Sequence, residues 1–329
     1  MEELIKKFIS QLQHAIEIAE AVKLNFKNKK FDKVYVAGLG GSGIGATIIQ
    51  DYLFNKLTIP FIVSKDYKIG ASVNSKTLFV ACSYSGNTEE TVACLDEAQK
   101  RNATIAIITS GGVLKNKATK ENLPHILTPS GMPPRTCLGY SIAQLLQILF
   151  AANLVEESPR KLIEPAIKLL LKEQKEIEKI AKLIAKKCIG KKIVAYSFAG
   201  MEGITIRFRQ QINENSKMLC WHNILPEMTH NEILGWNKIE KDIAVIIFKD
   251  QKGFPKTEKR LQFLLNEIKK YTSNIQIIES KGKTYFEKAF YFIHFGDWIS
   301  LNLANLRKID AINIDVINNL KKTMNEKKG

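Results

Sequence analysis

The sequence predicts an α/β protein with parallel, doubly wound sheets, and three observations carry that reading. From about Phe31 onward, short apolar runs rich in β-branched residues alternate with stretches of helical spacing. Two of these runs open directly into glycine- or hydroxyl-rich turns that start a helix, Ala37 into Gly38-Leu39-Gly40-Gly41-Ser42-Gly43 and Cys82 into Ser83-Tyr84-Ser85-Gly86-Asn87-Thr88-Glu89-Glu90. The order strand, Gly-rich turn, helix then restarts at Lys192, so the two halves look like versions of one plan. At 329 residues the chain has room for two domains, placed here at 1–155 and 156–329.

Taken in order, strands are expected at 34–37, 61–64, 78–82, 103–108 and 125–127, each rich in Val, Ile, Leu or Phe. Helices are expected between and after them near 45–54, 89–101 and 141–154. Glu157-Ser158-Pro159-Arg160 breaks the apolar pattern, and 162–189 then shows helical spacing, interrupted at most near Pro165, as a helix connecting the domains. The second half follows with strand 192–196, a glycine turn at 199–203, helix 204–213, strand 243–248, helix 256–271, strand 275–278 and helix 286–306. Ligands in such sheets bind at the carboxyl ends of the strands, where both loops of the first half lie.

Hydrophobic content of 45% and charged content of 25% describe a soluble globular protein. No apolar run approaches the ~18 residues of a membrane span. The N-terminus, Met1-Glu2-Glu3-Leu4-Ile5-Lys6-Lys7, fits neither a signal nor a transit peptide, which places the protein in the cytoplasm. The five cysteines (Cys82, Cys94, Cys137, Cys188, Cys220) are scattered without a C-x-x-C pair, and the histidines lack ligand spacing. That pattern suggests reduced core thiols and neither a metal nor another cofactor. The net charge of +16 raises nucleic acid as a partner. However, only seven of the 49 basic residues are Arg, and the lysines are spread along helical faces among glutamates. The expectation is a solvated lysine surface with a field favourable to a small anion in a cleft.

Four segments carry the chemistry. Ser83, Ser85 and Thr88 place three short hydroxyls at a strand-to-helix turn, where free N–H groups and the positive end of the helix dipole suit a phosphate. An ordinary N-cap at Asn87-Thr88-Glu89-Glu90 is the bland alternative. The glycine loop also matches a dinucleotide fingerprint (Gly38, Gly40, Gly43), with Asp66 near the end of the next strand for a ribose. Gly131-Met132-Pro133-Pro134-Arg135-Thr136 is a rigid turn presenting one of the rare arginines. Residues 210–217 and 221–232 read as polar loops holding a Glu and a His able to act as base and acid.

Together these segments resemble the archaeal and bacterial bifunctional phosphoglucose/phosphomannose isomerases of the sugar-isomerase-domain (SIS) superfamily. The matching pieces are Gly40-Gly41-Ser42-Gly43, Ser83-Tyr84-Ser85-Gly86-Asn87-Thr88, Pro133-Pro134-Arg135-Thr136, Asn213-Glu214-Asn215-Ser216-Lys217, His230-Asn231-Glu232, Phe295-Gly296-Asp297-Trp298 and the stretch from Asp310 to Leu320-Lys321, in collinear order over nearly the whole chain. The resemblance implies two SIS domains, each a five-stranded parallel sheet flanked by helices. It implies that Gly41, Ser42, Ser83, Ser85 and Thr88 hold the phosphate of a hexose 6-phosphate. Glu214 would move a proton between C1 and C2, and Arg135 would stabilise the enediolate. His230, from the other subunit of a homodimer, would open the sugar ring, and Lys321 would act near the ring oxygen. One departure stands out: the family's Asp-Pro-Thr-Pro is Asp310-Ala311-Ile312-Asn313 here.

Three functions are therefore weighed. The first is an aldose–ketose isomerase acting on glucose 6-phosphate and mannose 6-phosphate. The second is a non-catalytic sugar-phosphate-binding SIS protein, which would need neither Glu214 nor His230. The third is a nicotinamide-dependent oxidoreductase using the glycine loop, which would need no hydroxyl cradle at a neighbouring strand.

Overall fold

The computed structural model describes residues 1–27, 29–251 and 253–325, so the last four residues of the C-terminal domain lie outside it. Its first sheet comprises β1 (Lys33–Ala37), β2 (Phe61–Ser64), β3 (Thr77–Ser83), β4 (Thr104–Thr109) and β5 (His125–Leu127). All pairs are parallel, in the order β2-β1-β3-β4-β5. The second sheet comprises β6 (Lys192–Phe198), β7 (Cys220–Leu225), β8 (Ile243–Lys249) and β9 (Ile275–Glu279), parallel in the order β7-β6-β8-β9. Its four described strands are one fewer than the five expected. After β9 the chain goes straight into the apolar helix α10 (Tyr285–Leu306), leaving no segment to add an edge.

Strand alternation sorts the side chains between two faces. In β1 and β3, Val34, Val36, Leu78, Val80 and Cys82 point into a large core, while Tyr35, Ala37, Phe79 and Ala81 point to a smaller one. The smaller core is covered by α4 (Glu89–Lys100) and α5 (Gly112–Lys120), the latter unforeseen because its Lys- and Asn-rich surface hides only Leu114 and Ala118. The second sheet repeats the plan. Val194, Tyr196, Val245 and Ile247 face α9 (Pro255–Ile268), and Ile193, Ala195, Ala244, Ile246 and Phe248 face the large core. That large core is shared. Helices α2 (Phe8–Ala21), α3 (Gly40–Leu53), α6 (Leu138–Ala151), α7 (Pro159–Cys188), α8 (Glu202–Ser216) and α10 form a common layer between the two sheets, with α1 (Glu2–Lys6) beside it. Strands buried on both faces must be apolar throughout, which is why β3 reads as one continuous run.

Helix ends follow local chemistry. Ser158 accepts the Lys161 N–H and Pro159 occupies the first turn of α7, which continues unbroken through Pro165. Thr284 and Glu287 form a reciprocal capping box at the start of α10. All five cysteines are free and buried.

The start of α8 is held across the layer by Asp51 of α3, whose Oδ2 accepts the Gly203 N–H at 2.7 Å. Burial pushes this carboxyl up to about 6, with the Gly203 bond opposing and Glu202 adding to the rise. The folded state thus favours the protonated acid, and the stability this contributes is lost as pH rises from about 4 through about 6. Asp51→Asn, which keeps an acceptor without the charge, is expected to exceed the parent by about 2–3 kcal/mol at pH 7.5 and by only about 1 kcal/mol at pH 4.5. Urea unfolding at the two pH values checks this; an advantage independent of pH would contradict it.

Candidate active site

The hydroxyl loop forms as β3 ends. Ser83 is buried, and its Oγ accepts the Gly86 N–H at 3.1 Å while lying 2.7 Å from Thr88 Oγ1. Thr88 is the N-cap of α4 but makes no side-chain capping bond, and Asn87 Oδ1 accepts instead from Val113 N–H on α5. The hydroxyls are thus not used as an ordinary cap. Ser42, in the first turn of α3, accepts the Tyr84 N–H at 3.0 Å, and Ser85 accepts the Asn87 N–H at 3.3 Å. A hydroxyl that accepts from the backbone keeps its own proton to donate, and a phosphate needs donors. Ser42 and Ser85 are so placed, whereas Ser83 shapes the loop from inside.

The glycines beneath are packing positions. A Cβ on Gly43 would lie 2.1 Å from Gly38 O, so that pair lets α3 start tightly against β1. A Cβ on Gly41 would lie 2.8 Å from Pro134 O and 3.1 Å from Arg135 N. Gly41 thereby lets the hydroxyl loops and the arginine turn touch. Tyr84 secures the same junction: its hydroxyl donates to Pro129 O at 2.9 Å and accepts the Met132 N–H at 3.0 Å. Burial pushes this phenol up to about 12, so it keeps the proton it donates.

Arg135 lies on the short 3₁₀ turn Pro134–Thr136 and is 3% exposed. Its Nε donates to Asn215 Oδ1 at 2.9 Å, and its Nη2 donates to Ala311 O at 2.7 Å and Ile312 O at 3.3 Å. Its Nη1 faces Glu214 Oε2 at 3.6 Å. Burial lowers its affinity for the proton, Glu214 opposes that, and the neighbouring Arg207 adds to it; a guanidinium nevertheless stays charged. Glu214 is not on a loop, as its polar surroundings had indicated. It belongs to the last turn of α8, which runs to Ser216 and ends at Lys217 in the left-handed conformation. The Glu214 side chain is 28% exposed, so its carboxylate is open to a ligand while the guanidinium beside it is fixed. Lys217 Nζ donates to Asn313 O at 2.6 Å and also to Glu214 O. Segment 310–313, where the sequence departs from Asp-Pro-Thr-Pro, is therefore clamped through its main-chain carbonyls. Carbonyls are supplied by any residue, so the grip on Arg135 does not depend on which side chains stand at 311 and 312.

Two expected site residues are not brought to this cluster. His230 ends the short turn Glu227–His230 beyond the carboxyl end of β7, whereas Glu214 precedes the amino end of that strand. Within one chain they lie at opposite ends of β7. The His230 turn is nonetheless anchored: Glu232 accepts from Tyr196 Oη at 2.6 Å and Asn223 Nδ2 at 2.7 Å. Lys321 is exposed on α11 (Asp315–Asn325), a helix that also exposes Val316, Leu320 and Met324. Sequence reasoning gave no role to Tyr84, Asn215 or Lys217, which hold the cluster together. Among the described residues, no group of three His, Cys, Asp or Glu side chains is placed to hold a metal ion. No described helix is long and apolar enough to cross a membrane.

Two family models match, a SIS domain over residues 26–143 and the bacterial phospho-glucose isomerase C-terminal SIS domain over residues 177–324. A bifunctional phosphoglucose/phosphomannose isomerase of Caldicellulosiruptor bescii is 35% identical over 99% of this chain and 99% of its own. The chain belongs to the bifunctional phosphoglucose/phosphomannose isomerase family. Another member, from Thermoplasma volcanium, is 32% identical over 91% of this chain and 93% of its own. In fold, the protein is similar to the tagatose-6-phosphate ketose/aldose isomerase of Escherichia coli, with a TM-score of 0.75 at 16% identity over 95% of each chain. Both sheets thus belong to SIS domains.

Ser85→Ala and Thr88→Ala are each expected to raise KM for a hexose 6-phosphate with little change in kcat. If each hydroxyl donates to the substrate phosphate, its loss removes a hydrogen bond to a charged group, worth ~1.5–3 kcal/mol or roughly 10- to 100-fold in affinity. Initial-rate kinetics check this, and unchanged KM in both variants would move the phosphate elsewhere.

Proposed function

We propose that this chain interconverts glucose 6-phosphate and mannose 6-phosphate with fructose 6-phosphate through an enediolate, without a cofactor. The observation that carries the reading is the partly exposed Glu214 carboxylate 3.6 Å from the buried, fixed Arg135, with the arginine turn packed on the hydroxyl loops at Gly41. The substrate phosphate takes hydrogen bonds from Ser42, next to Gly41 in the first turn of α3, and from Ser85 and Thr88 on the loop shaped by Ser83. Glu214 removes the proton from C2 of the open-chain aldose, and the electron pair moves onto the carbonyl oxygen as the enediol forms. Arg135 stabilises that oxygen, where a preorganised cation lowers the barrier most. The C2 hydroxyl passes its proton to the C1 oxygen, the C2 oxygen becomes the carbonyl, and Glu214 returns its proton to C1, giving the ketose. Because the abstracted proton is on carbon, a carboxylate held beside a guanidinium supplies both groups the step needs.

His230 opens the ring in the site of a second copy, which its distance along β7 from its own Glu214 supports, so the working unit is a homodimer with the site at the subunit interface. The protein works in the cytoplasm.

The test is direct NMR detection of fructose 6-phosphate formed by the purified protein from each aldose 6-phosphate, before and after chelator treatment and with and without added nicotinamide. Turnover of both aldoses, unaffected by chelation and by omission of nicotinamide, is expected. Tight binding without turnover would favour a sensor, and nicotinamide reduction or loss of activity on chelation would contradict the reading.

A further inference from the structure

The interface between α8 and α10 is apolar along most of its length, yet one stripe of it is polar and buried. Arg207, Gln211 and Asn215 recur every fourth residue of α8 and face Asp297 and Ser300, one turn apart on α10. Arg207 Nη2 lies 3.2 Å from Asp297 Oδ1 and 3.3 Å from Oδ2, and also donates to the main-chain carbonyl of Arg135 at 2.9 Å. Gln211 Nε2 donates to Asp297 Oδ1 at 2.8 Å. One turn on, Ser300 Oγ donates to Asp297 O at 2.8 Å and accepts from Asn215 Nδ2 at 3.0 Å. Asn215 Oδ1 in turn receives Nε of Arg135. Ser216 Oγ donates to Ser300 O at 2.7 Å, fixing the end of α8 itself.

Resting on the isomerase reading, we infer that Asp297 and Ser300 are positioning residues: through Arg207 and Asn215 they hold Arg135 by its main chain and its side chain, and so set it against Glu214. Two branches from one helix grip the arginine at points on either side of its flexible side chain. The second branch runs through Asn215, the residue next to Glu214, so the same contacts locate both members of the reacting pair. Stability alone does not explain the stripe. A buried ion pair gains little over apolar packing of similar volume, and Arg207 Nε and Gln211 Oε1 are buried with no partner among the described residues. What the stripe secures is a distance. Asp297 and Ser300 are themselves both buried in the helix layer.

The experiment compares Ser300→Ala, Asp297→Asn and Arg207→Lys with the parent for kcat, KM, inhibition by inorganic phosphate and melting temperature. Asp297→Asn keeps the Gln211 bond and shape, so it serves if Ser300→Ala does not fold. Arg207→Lys keeps a cation for Asp297 but loses the planar fork that also reaches the Arg135 carbonyl. The folded variants are expected to lose up to ~10²-fold in kcat, as a misplaced reacting group does, with KM and phosphate inhibition unchanged. In a Glu214→Gln background the same changes are expected to have no further effect on the residual rate. Lower melting temperatures with unchanged kcat would overturn the inference, as would a rise in KM that matches the loss of rate. A parent without isomerase activity would overturn the proposed function and this inference together, whereas an active parent with fully active variants overturns this inference alone.

Discussion

Glu214→Gln is expected to lower kcat for glucose 6-phosphate by ~10²–10⁴-fold while KM and inhibition by inorganic phosphate stay near their parent values. Gln has nearly the shape of Glu and keeps an oxygen towards Arg135, so the helix end and the arginine clamp are retained. The amide cannot take a proton from carbon. Glu214 is partly exposed and contributes through its main-chain carbonyl, not its carboxylate, to the Lys217 contact that closes α8. The substitution thus removes chemistry and leaves the support. The measurement is exchange of the C2 proton of the substrate in heavy water, followed by NMR, because it reads the proton transfer and not the ring opening. A Glu214→Gln protein that exchanges at the parent rate would remove Glu214 from the mechanism. His230→Ala separates the steps from the other side: exchange of open-chain substrate should persist while turnover of the closed sugar slows.

What the sequence made legible follows from burial. β1, β3, β4, β6 and β8 lie between covered faces, so their residues are almost wholly apolar and their runs stand out. The hydroxyl loop and the arginine turn were legible because hydroxyls, prolines and a rare arginine have few purely structural reasons to cluster. β7 was not. It is an edge strand paired only with β6, so His222 and Asn223 need not be apolar, and the segment reads as a loop. The end of α8 was hidden for a different reason. Gln211, Asn215 and Ser216 are polar yet buried, because α10 supplies their partners from far along the chain. The four-residue recurrence of Arg207, Gln211 and Asn215 was the available signal, masked by the more exposed Gln210, Asn213 and Glu214 between them. The clamp on segment 310–313 could not be read at all, since main-chain carbonyls leave no mark in sequence.

Arg135→Lys is expected to lower kcat by ~10²–10³-fold, close to the loss from Arg135→Ala, although Lys keeps the positive charge. The reason is geometric. The guanidinium divides its donors: Nε goes to Asn215, Nη2 to Ala311 O and Ile312 O, and Nη1 is left facing Glu214. An ammonium on a flexible stem has three donors and no planar fork, so it cannot satisfy those acceptors and still hold a fixed charge beside the developing oxyanion. Whichever contact it abandons leaves a buried acceptor unpaired, which costs ~1–3 kcal/mol. The structural part of the effect has its own readout. Freed from Nη2, segment 310–313 should exchange its amide hydrogens faster in both variants, while the hydroxyl loop at 83–88 should not change. Phosphate inhibition should also stay constant, because that loop meets the arginine turn through Tyr84 and through Gly41 of α3, and not through the Arg135 side chain. A Lys variant with parent-like kcat would show that charge alone suffices and that the fork has no part in catalysis. Loss of phosphate binding in either variant would instead make Arg135 a ligand of the phosphate, and a different group would have to stabilise the enediolate.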